Sequence, residues 1–421
     1  METTARPQFV TARKSGANPR TTFLEALFAR SLKGLKGGSL RISFPSGAQL
    51  VRGDTSYPLL ELNIRDRAFF RKVFSGGSVG FGESYVDGDW DTPDLSGLLS
   101  LLGKTQVNVG PLRRGLSFLT RMSNRLYHAA RRNTMARSRE NIQEHYDLSN
   151  EFYRQFLDKS MTYSSARFQT YYETLEQAQL NKIEHMLDLA EVRPGDHILE
   201  IGSGWGALAL AAALRGARVT TVTLSRAQYD YARELFENEG VADLVAIKLQ
   251  DYRTVEGRFD AVLSCEMIEA VGEAYLPAYF QKIQQSLKPG AKSVIQAITI
   301  PDERYRAYSK SCDWIQKHIF PGGHLPSPGK IDECVRQAGG LRHLASEKFG
   351  KDYAETLVRW AKAFNRNWRK IQPLGFDERF RRKWNYYLSY CEAGFDNGLI
   401  DVEHIVLEKS GARASRATTD P

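Results

Sequence analysis

The chain has 421 residues, 42% of them hydrophobic, enough for a large catalytic domain with a smaller one appended. Its 58 Lys and Arg outnumber 49 Asp and Glu, and the net charge of +9 suits an anionic partner, a phospholipid surface or a nucleic acid, without choosing between them. Four scattered cysteines (Cys265, Cys312, Cys334 and Cys391) argue against a disulfide framework and a zinc site, and the absence of a run of about 18 uncharged apolar residues argues against a spanning helix. The N-terminus is basic and polar, without the apolar core of a signal peptide. These features predict a cytoplasmic protein that meets any membrane peripherally, from its inner face, and no metal.

Residues 1–20 read as a flexible basic tail and residues 410–421 as a frayed end. Residues 21–110 combine a helical start (TFLEALFARSL), short alternating runs (LRISF, AQLVR) and the turn-rich text FGESYVDGDWDTPDLSG, which predicts a small α+β domain as a separate unit. Residues 111–140 hold eight arginines between Pro111 and Arg139, interleaved with Leu, Phe, Met and Tyr and free of acidic residues. A basic linker helix is expected there, either plainly solvated or docking on anionic lipid headgroups.

The main domain is expected over residues 141–409. It opens with the helical text NIQEHYDLSNEFYRQFL and LEQAQLNKIEHMLDLAEV, then alternates strands (HILEI, ARVTTVTLS, FDAVLSCEMI, KSVIQAITI) with helices such as RAQYDYARELFENEG and LPAYFQKIQQSLKPG. Such alternation predicts an α/β fold with a doubly wound parallel sheet. Gly202, Gly204 and Gly206 follow HILEI directly, where missing side chains let backbone N–H groups approach a nucleotide-type ligand. The loop also fits a dinucleotide fingerprint, but the end of the second strand offers Thr223, Leu224 and Ser225 rather than a ribose-binding acid, which weighs against NAD. Glu200 precedes the loop, and Asp251 stands where an adenine amino group can be read.

Ten ordered segments then become specific: HYDLSNEFYRQFLDKSMTYSSARF, LEIGSGWG, TLSRAQ, DYR, EMIEAVG, LKPG, QAITIPDERY, WIQKHIFPGGHLPS, YAETLVRWAKAF and WNYYLSYCEAGF. Together, over about Asn141 to Glu408, they resemble the cyclopropane fatty acid synthase family, and FGESYVDGDW extends the resemblance into the N-terminal domain. The resemblance implies a Rossmann-like class I methyltransferase that moves the methyl group of S-adenosylmethionine to the double bond of a phospholipid-borne unsaturated acyl chain. Proton loss then gives a cyclopropane, the expected product; a hydride shift and a different proton loss give a methylene- or methyl-branched chain as the alternative. It further implies cofactor contacts from Tyr163, Ser164, Gly202, Thr223, Leu224, Gln228 and Asp251, and a bound bicarbonate ion as base, held by Glu269, Ile298 and Tyr353. Cys391 matches a pocket-lining position, although a small buried hydrophobe is its plainer role.

Two positions depart from the family pattern. Ser165 stands where Cys usually follows Tyr-Ser, and Gln296 stands where His is frequent. Both remain polar and able to hold an anion, without a titratable imidazole. Because positive charge develops on the acyl chain, aromatic faces are expected near the reaction, with Phe168, Tyr279, Tyr353 and Tyr387 as candidates. The resemblance implies that His145 and Asp147 belong to a lid segment over the cofactor, and His318 and His324 lack metal-ligand spacing. The N-terminal domain is expected to assist membrane docking or homodimer formation. A non-catalytic lipid-binding protein on the same fold is the remote alternative, and a nucleic-acid methyltransferase is disfavoured because no Asn/Asp-Pro-Pro-Tyr motif occurs.

Overall fold

The computed structural model describes residues 22–54, 56–104, 148–170 and 172–411. The basic helix expected at 111–140, His145, Asp147 and nearly all of both tails lie outside the described residues.

Residues 22–104 begin with α1 (Phe23–Ser31), which Thr22 and Glu25 close with a reciprocal capping box. Strands β1 (Ser39–Ser43), β2 (Gln49–Gly53), β3 (Leu59–Ile64) and β4 (Trp90–Asp91) form a sheet in the order β2-β1-β3-β4. Helix α2 (Ala68–Val86) is kinked at Gly77, and α3 (Leu95–Lys104) follows β4. This unit has its own sheet but not its own closed core. Phe69 and Trp90 belong to one apolar cluster with Trp314, Trp384 and Tyr386 of the C-terminal part. The contact is close: a Cβ on Gly82 of FGESYVDGDW would sit 2.6 Å from the Trp314 ring and 2.7 Å from that of Tyr386. The motif therefore specifies a docking contact.

The main domain starts with α4 (Asn150–Arg154) and α5 (Leu175–Leu189), the latter N-capped by Thr174. Then come β5 (His197–Ile201), α6 (Ala207–Leu214), β6 (Arg218–Thr223), α7 (Arg226–Asn238), β7 (Val245–Leu249), β8 (Phe259–Cys265), α8 (Leu276–Ser286) and β9 (Leu287–Thr299). Short helices α9 (Asp302–Tyr308) and α10 (Trp314–His318) lead to α11 (Pro328–Ala338) and β10 (Leu341–Lys348). The chain ends with α12 (Gly350–Arg366), α13 (Trp368–Ile371), α14 (Glu378–Asp396) and β11 (Asp401–Lys409).

The seven strands run in the order β10-β11-β9-β8-β5-β6-β7. Strands β5 to β9 pair in parallel, whereas β11 is antiparallel to both of its neighbours. The expected doubly wound sheet is thus present, corrected by one reversed strand. Apolar residues of α5, α6 and α7, such as Met186, Ala212 and Phe236, cover one face, while Phe280 and Ile283 of α8 and Val335 of α11 cover the other. Chain order reverses between β5 and β8, so the carboxyl ends of these strands open a crevice at the switch point.

Candidate active site

That crevice is a cleft lined by Tyr163, Ser164, Gly202, Gly204, Thr223, Leu224, Gln228 and Asp251, all expected cofactor contacts. Gly202 has φ 96° and Gly206 φ 98°, left-handed values that L side chains rarely adopt. Gly202 N–H and Ser203 N–H both donate to Val222 O at 3.0 Å, which folds the loop back on β6. Gly206 does not line the cleft: it starts α6 and faces Ala232 and Phe236 of α7, so its role is packing. Thr223 donates its hydroxyl to Gln228 Oε1 at 2.9 Å. Burial opposes ionisation of Asp251, but the Arg253 guanidinium, 2.9 and 2.6 Å from its two oxygens, more than offsets this and lowers its pKa. Glu200 is buried and accepts from the Thr221 hydroxyl, and burial pushes its pKa up to about 8. Above the cleft, Tyr163 OH meets Tyr387 OH at 2.9 Å, and the buried Lys182 ammonium donates to Ser164 Oγ at 2.7 Å.

One wall of the cleft carries an arrangement that the sequence reading missed, centred on Glu266. Glu266, the residue after β8, holds φ +48°, a conformation that is strained for a side-chain-bearing residue. Its Oε1 accepts from Ser165 N–H at 2.8 Å and from Gln296 Nε2 at 2.7 Å; its Oε2 accepts from Tyr353 OH at 2.7 Å. Ser165 and Gln296 are fully buried, and Tyr353, stacked on Phe395 with ring centroids 4.4 Å apart, is 6% exposed. Burial raises the Glu266 pKa against these three donors. Three separate stretches of chain, a loop at Ser165, strand β9 and helix α12, are joined here, and Glu266 is their common acceptor.

Glu269 stands one short turn further on. Its Oε1 accepts from Ile298 N–H at 2.6 Å, its Oε2 is buried without a partner, and burial followed by the nearby Glu266 charge pushes its pKa up to about 8. The expected bicarbonate site does not fit this geometry. The Ser165 N–H, the Tyr353 hydroxyl and one Gln296 amide proton meet the Glu266 carboxylate, the other Gln296 amide proton faces Ser165 O at 3.4 Å, and the Ile298 N–H meets Glu269. A protein carboxylate stands where the free anion was expected. Cys391, in α14, does not line the cleft, and burial drives its thiol pKa far up, against a nucleophilic role. Phe168 lies under the Arg359 guanidinium at 4.3 Å and Tyr279 is in the core beneath β8; of the four aromatic candidates only Tyr353 and Tyr387 adjoin the site. Among the described residues, no group of three His, Cys, Asp or Glu is placed to hold a metal ion, and no helix is long and apolar enough to cross a membrane.

Comparison with known proteins fixes the family. Residues 133–405 match the family described as mycolic acid cyclopropane synthetase. The chain belongs to this family. It is 40% identical over 379 residues to tuberculostearic acid methyltransferase UfaA1 of Mycobacterium tuberculosis, covering 88% of each chain. It is 32% identical over 370 residues to the cyclopropane-fatty-acyl-phospholipid synthase of Escherichia coli K12, covering 85% of this chain and 90% of that one. Mycolic acid cyclopropane synthase CmaA1, solved in complex with SAH and CTAB, superposes with a TM-score of 0.60 at 30% identity, covering 64% of this chain and 98% of the other. The fold is therefore that of the class I methyltransferases, the cofactor is S-adenosylmethionine, and the enzyme is a fatty acid methyltransferase of this family. The glycine loop, the polar ends of β6 and β7 and the apolar wall of Ile201, Val222 and Leu224 suit such a ligand.

Proposed function

We propose that this enzyme methylates the cis double bond of an unsaturated acyl chain carried on a phospholipid, and that Glu266 accepts the proton lost afterwards. Tyr163, Ser164, Gly202, Gly204, Thr223, Leu224, Gln228 and Asp251 would hold S-adenosylmethionine, which supplies an electrophilic methyl group. An isolated alkene is a feeble nucleophile, so the protein's part is to hold it in line in a dry pocket. A carbon–carbon bond would form to one alkene carbon as the methyl–sulfur bond breaks and S-adenosylhomocysteine leaves, with positive charge left on the other alkene carbon. The observation that carries this reading is the placement of Glu266. An ionised carboxylate has about four acceptor positions; two on Oε1 and one on Oε2 are engaged, which leaves one on Oε2 for a substrate proton.

We favour the branched product. A hydride shift moves the charge to the methyl-bearing carbon, where it is better stabilised, and then proton loss to Glu266 leaves a methylene branch. A carboxylate engaged by three donors removes the proton slowly enough for the shift to compete. The 40% identity to a tuberculostearic acid methyltransferase supports this product. Direct proton loss with ring closure gives a cyclopropane, the reading supported by the 32% identity to a cyclopropane-fatty-acyl-phospholipid synthase.

Gas chromatography and mass spectrometry of lipids from a host expressing the chain and fed methyl-labelled methionine tests both. A labelled one-carbon gain with a retained alkene, in the phospholipid fraction, supports branching. The same gain without an alkene supports the cyclopropane, label only in free fatty acids removes the phospholipid assignment, and no labelled acyl chain overturns the proposal.

A further inference from the structure

We infer that His404 is a positioning residue that fixes the orientation of the Gln296 amide and through it the Glu266 carboxylate. This inference rests on the reading of Glu266 as proton acceptor. His404 on β11 stands directly across from Gln296 on β9, and Gln296 in turn pairs with Cys265, the residue before Glu266. Both side chains are fully buried, and His404 Nε2 lies 2.9 Å from Gln296 Oε1. An amide oxygen only accepts, so His404 must carry its proton on Nε2. Its Nδ1 is buried without a partner, which suits the neutral ring with a lone pair there and opposes a second proton. Burial, followed by the charges of His185, Arg167 and Lys182, lowers its pKa well below the usual imidazole range, in keeping with a ring that stays neutral. The Phe349 ring, 4.6 Å away, and the His185 ring, 5.4 Å away, hold its plane.

A glutamine amide has two nearly isosteric orientations, and only the presence of a donor or an acceptor at each end selects one. With His404 donating to Oε1, the NH₂ group must face Glu266, as it does at 2.7 Å. Without that donor Oε1 is left buried and unpartnered and the amide is held only through its NH₂ group, by Glu266 and Ser165 O, so its alignment on the carboxylate loosens. Main-chain geometry shares the alignment, since Glu266 N–H donates to Gln296 O at 2.8 Å. The other groups that face Glu266 are Ser165, Tyr353, Glu269 and the Lys182 ammonium, and none of them touches Gln296 Oε1.

The test uses the purified full-length chain, unsaturated phospholipid vesicles and labelled S-adenosylmethionine. His404→Leu should lower kcat roughly tenfold, the scale of one hydrogen bond to a charged group, while cofactor affinity stays within about twofold. A loosened donor to the carboxylate should also move the acid limb of the kcat profile to higher pH. His404→Gln returns an amide donor to that place and should restore most of the rate. The double variant His404→Leu/Gln296→Leu should be no slower than Gln296→Leu alone, because the two act as one unit. Wild-type kcat in His404→Leu, no rescue by His404→Gln when that variant is folded, or multiplicative losses in the double variant would overturn the inference. Glu266→Gln separates the two claims: full activity there removes the proton-acceptor reading, whereas the His404–Gln296 coupling is judged by the double variant.

Discussion

The two halves of the site are built differently. The cofactor side is made by consecutive strand ends, β5, β6 and β7, and its central feature is backbone shape at Gly202 and Gly204. The proton-accepting side is made by the Ser165 N–H and by side chains from four other places: Glu266, Gln296, Tyr353 and His404. A backbone-built site is robust to which side chains surround it. A side-chain network buried at low dielectric depends on every member, because each unmatched polar group there is costly.

Variants at the two halves should therefore fail in different ways. The largest effect is expected at Glu266: Glu266→Gln should lower kcat by roughly 10²–10⁴, the range for losing a general base, with S-adenosylmethionine binding by calorimetry retained. Loss of binding instead would move Glu266 to the cofactor side. Gly202→Ala should show the reverse pattern. The added Cβ meets Met267 at 3.1 Å in a left-handed backbone, and a cost of roughly 1–2 kcal/mol should weaken cofactor binding about tenfold while turnover at saturating cofactor changes little.

The smallest effect concerns pH. Burial pushes the Glu200 pKa up to about 8 in the folded chain, against an ordinary value of 4.5. Between these values the folded state binds more protons than the unfolded one, so stability falls as pH rises through that window. Glu200→Gln should remove part of this slope, leaving a ligand-free melting temperature that declines less between pH 5 and about pH 8. An unchanged slope would assign the pH dependence to other groups, Glu269 first.

The cofactor side was legible because its signal is local. A buried strand, a glycine turn and a helix lie within HILEIGSGWGALALAAAL, and every expected lining residue except Gly206 faces the cleft. Strands β7, β10 and β11 were not read. VAIKL is short, LRHLASEK is mostly exposed, and DVEHIVLEK buries Glu403 and His404 inside text that looks like a polar edge. The reversal of β11 was consequently missed, and with it the facing of His404 and Gln296, which depends on register. Glu266 was passed over because, in SCEMIEAVG, Glu269 drew attention as the family's residue. The departure at Gln296 is the available signal, because its side chain meets the anion, whereas Ser165 meets it only through a backbone N–H that any residue supplies. In our proposal that anion is a third residue of the chain, Glu266, which only three-dimensional proximity identifies.

The most direct test of the central claim, that Glu266 takes the place of a free anion, is turnover measured with and without added bicarbonate. The wild-type rate should be the same in bicarbonate-depleted and bicarbonate-supplemented buffer, while Glu266→Ala should lose roughly 10²-fold and recover part of that rate when bicarbonate is added. A wild-type enzyme that loses activity on depletion, or a Glu266→Ala variant as fast as wild type without bicarbonate, would contradict it.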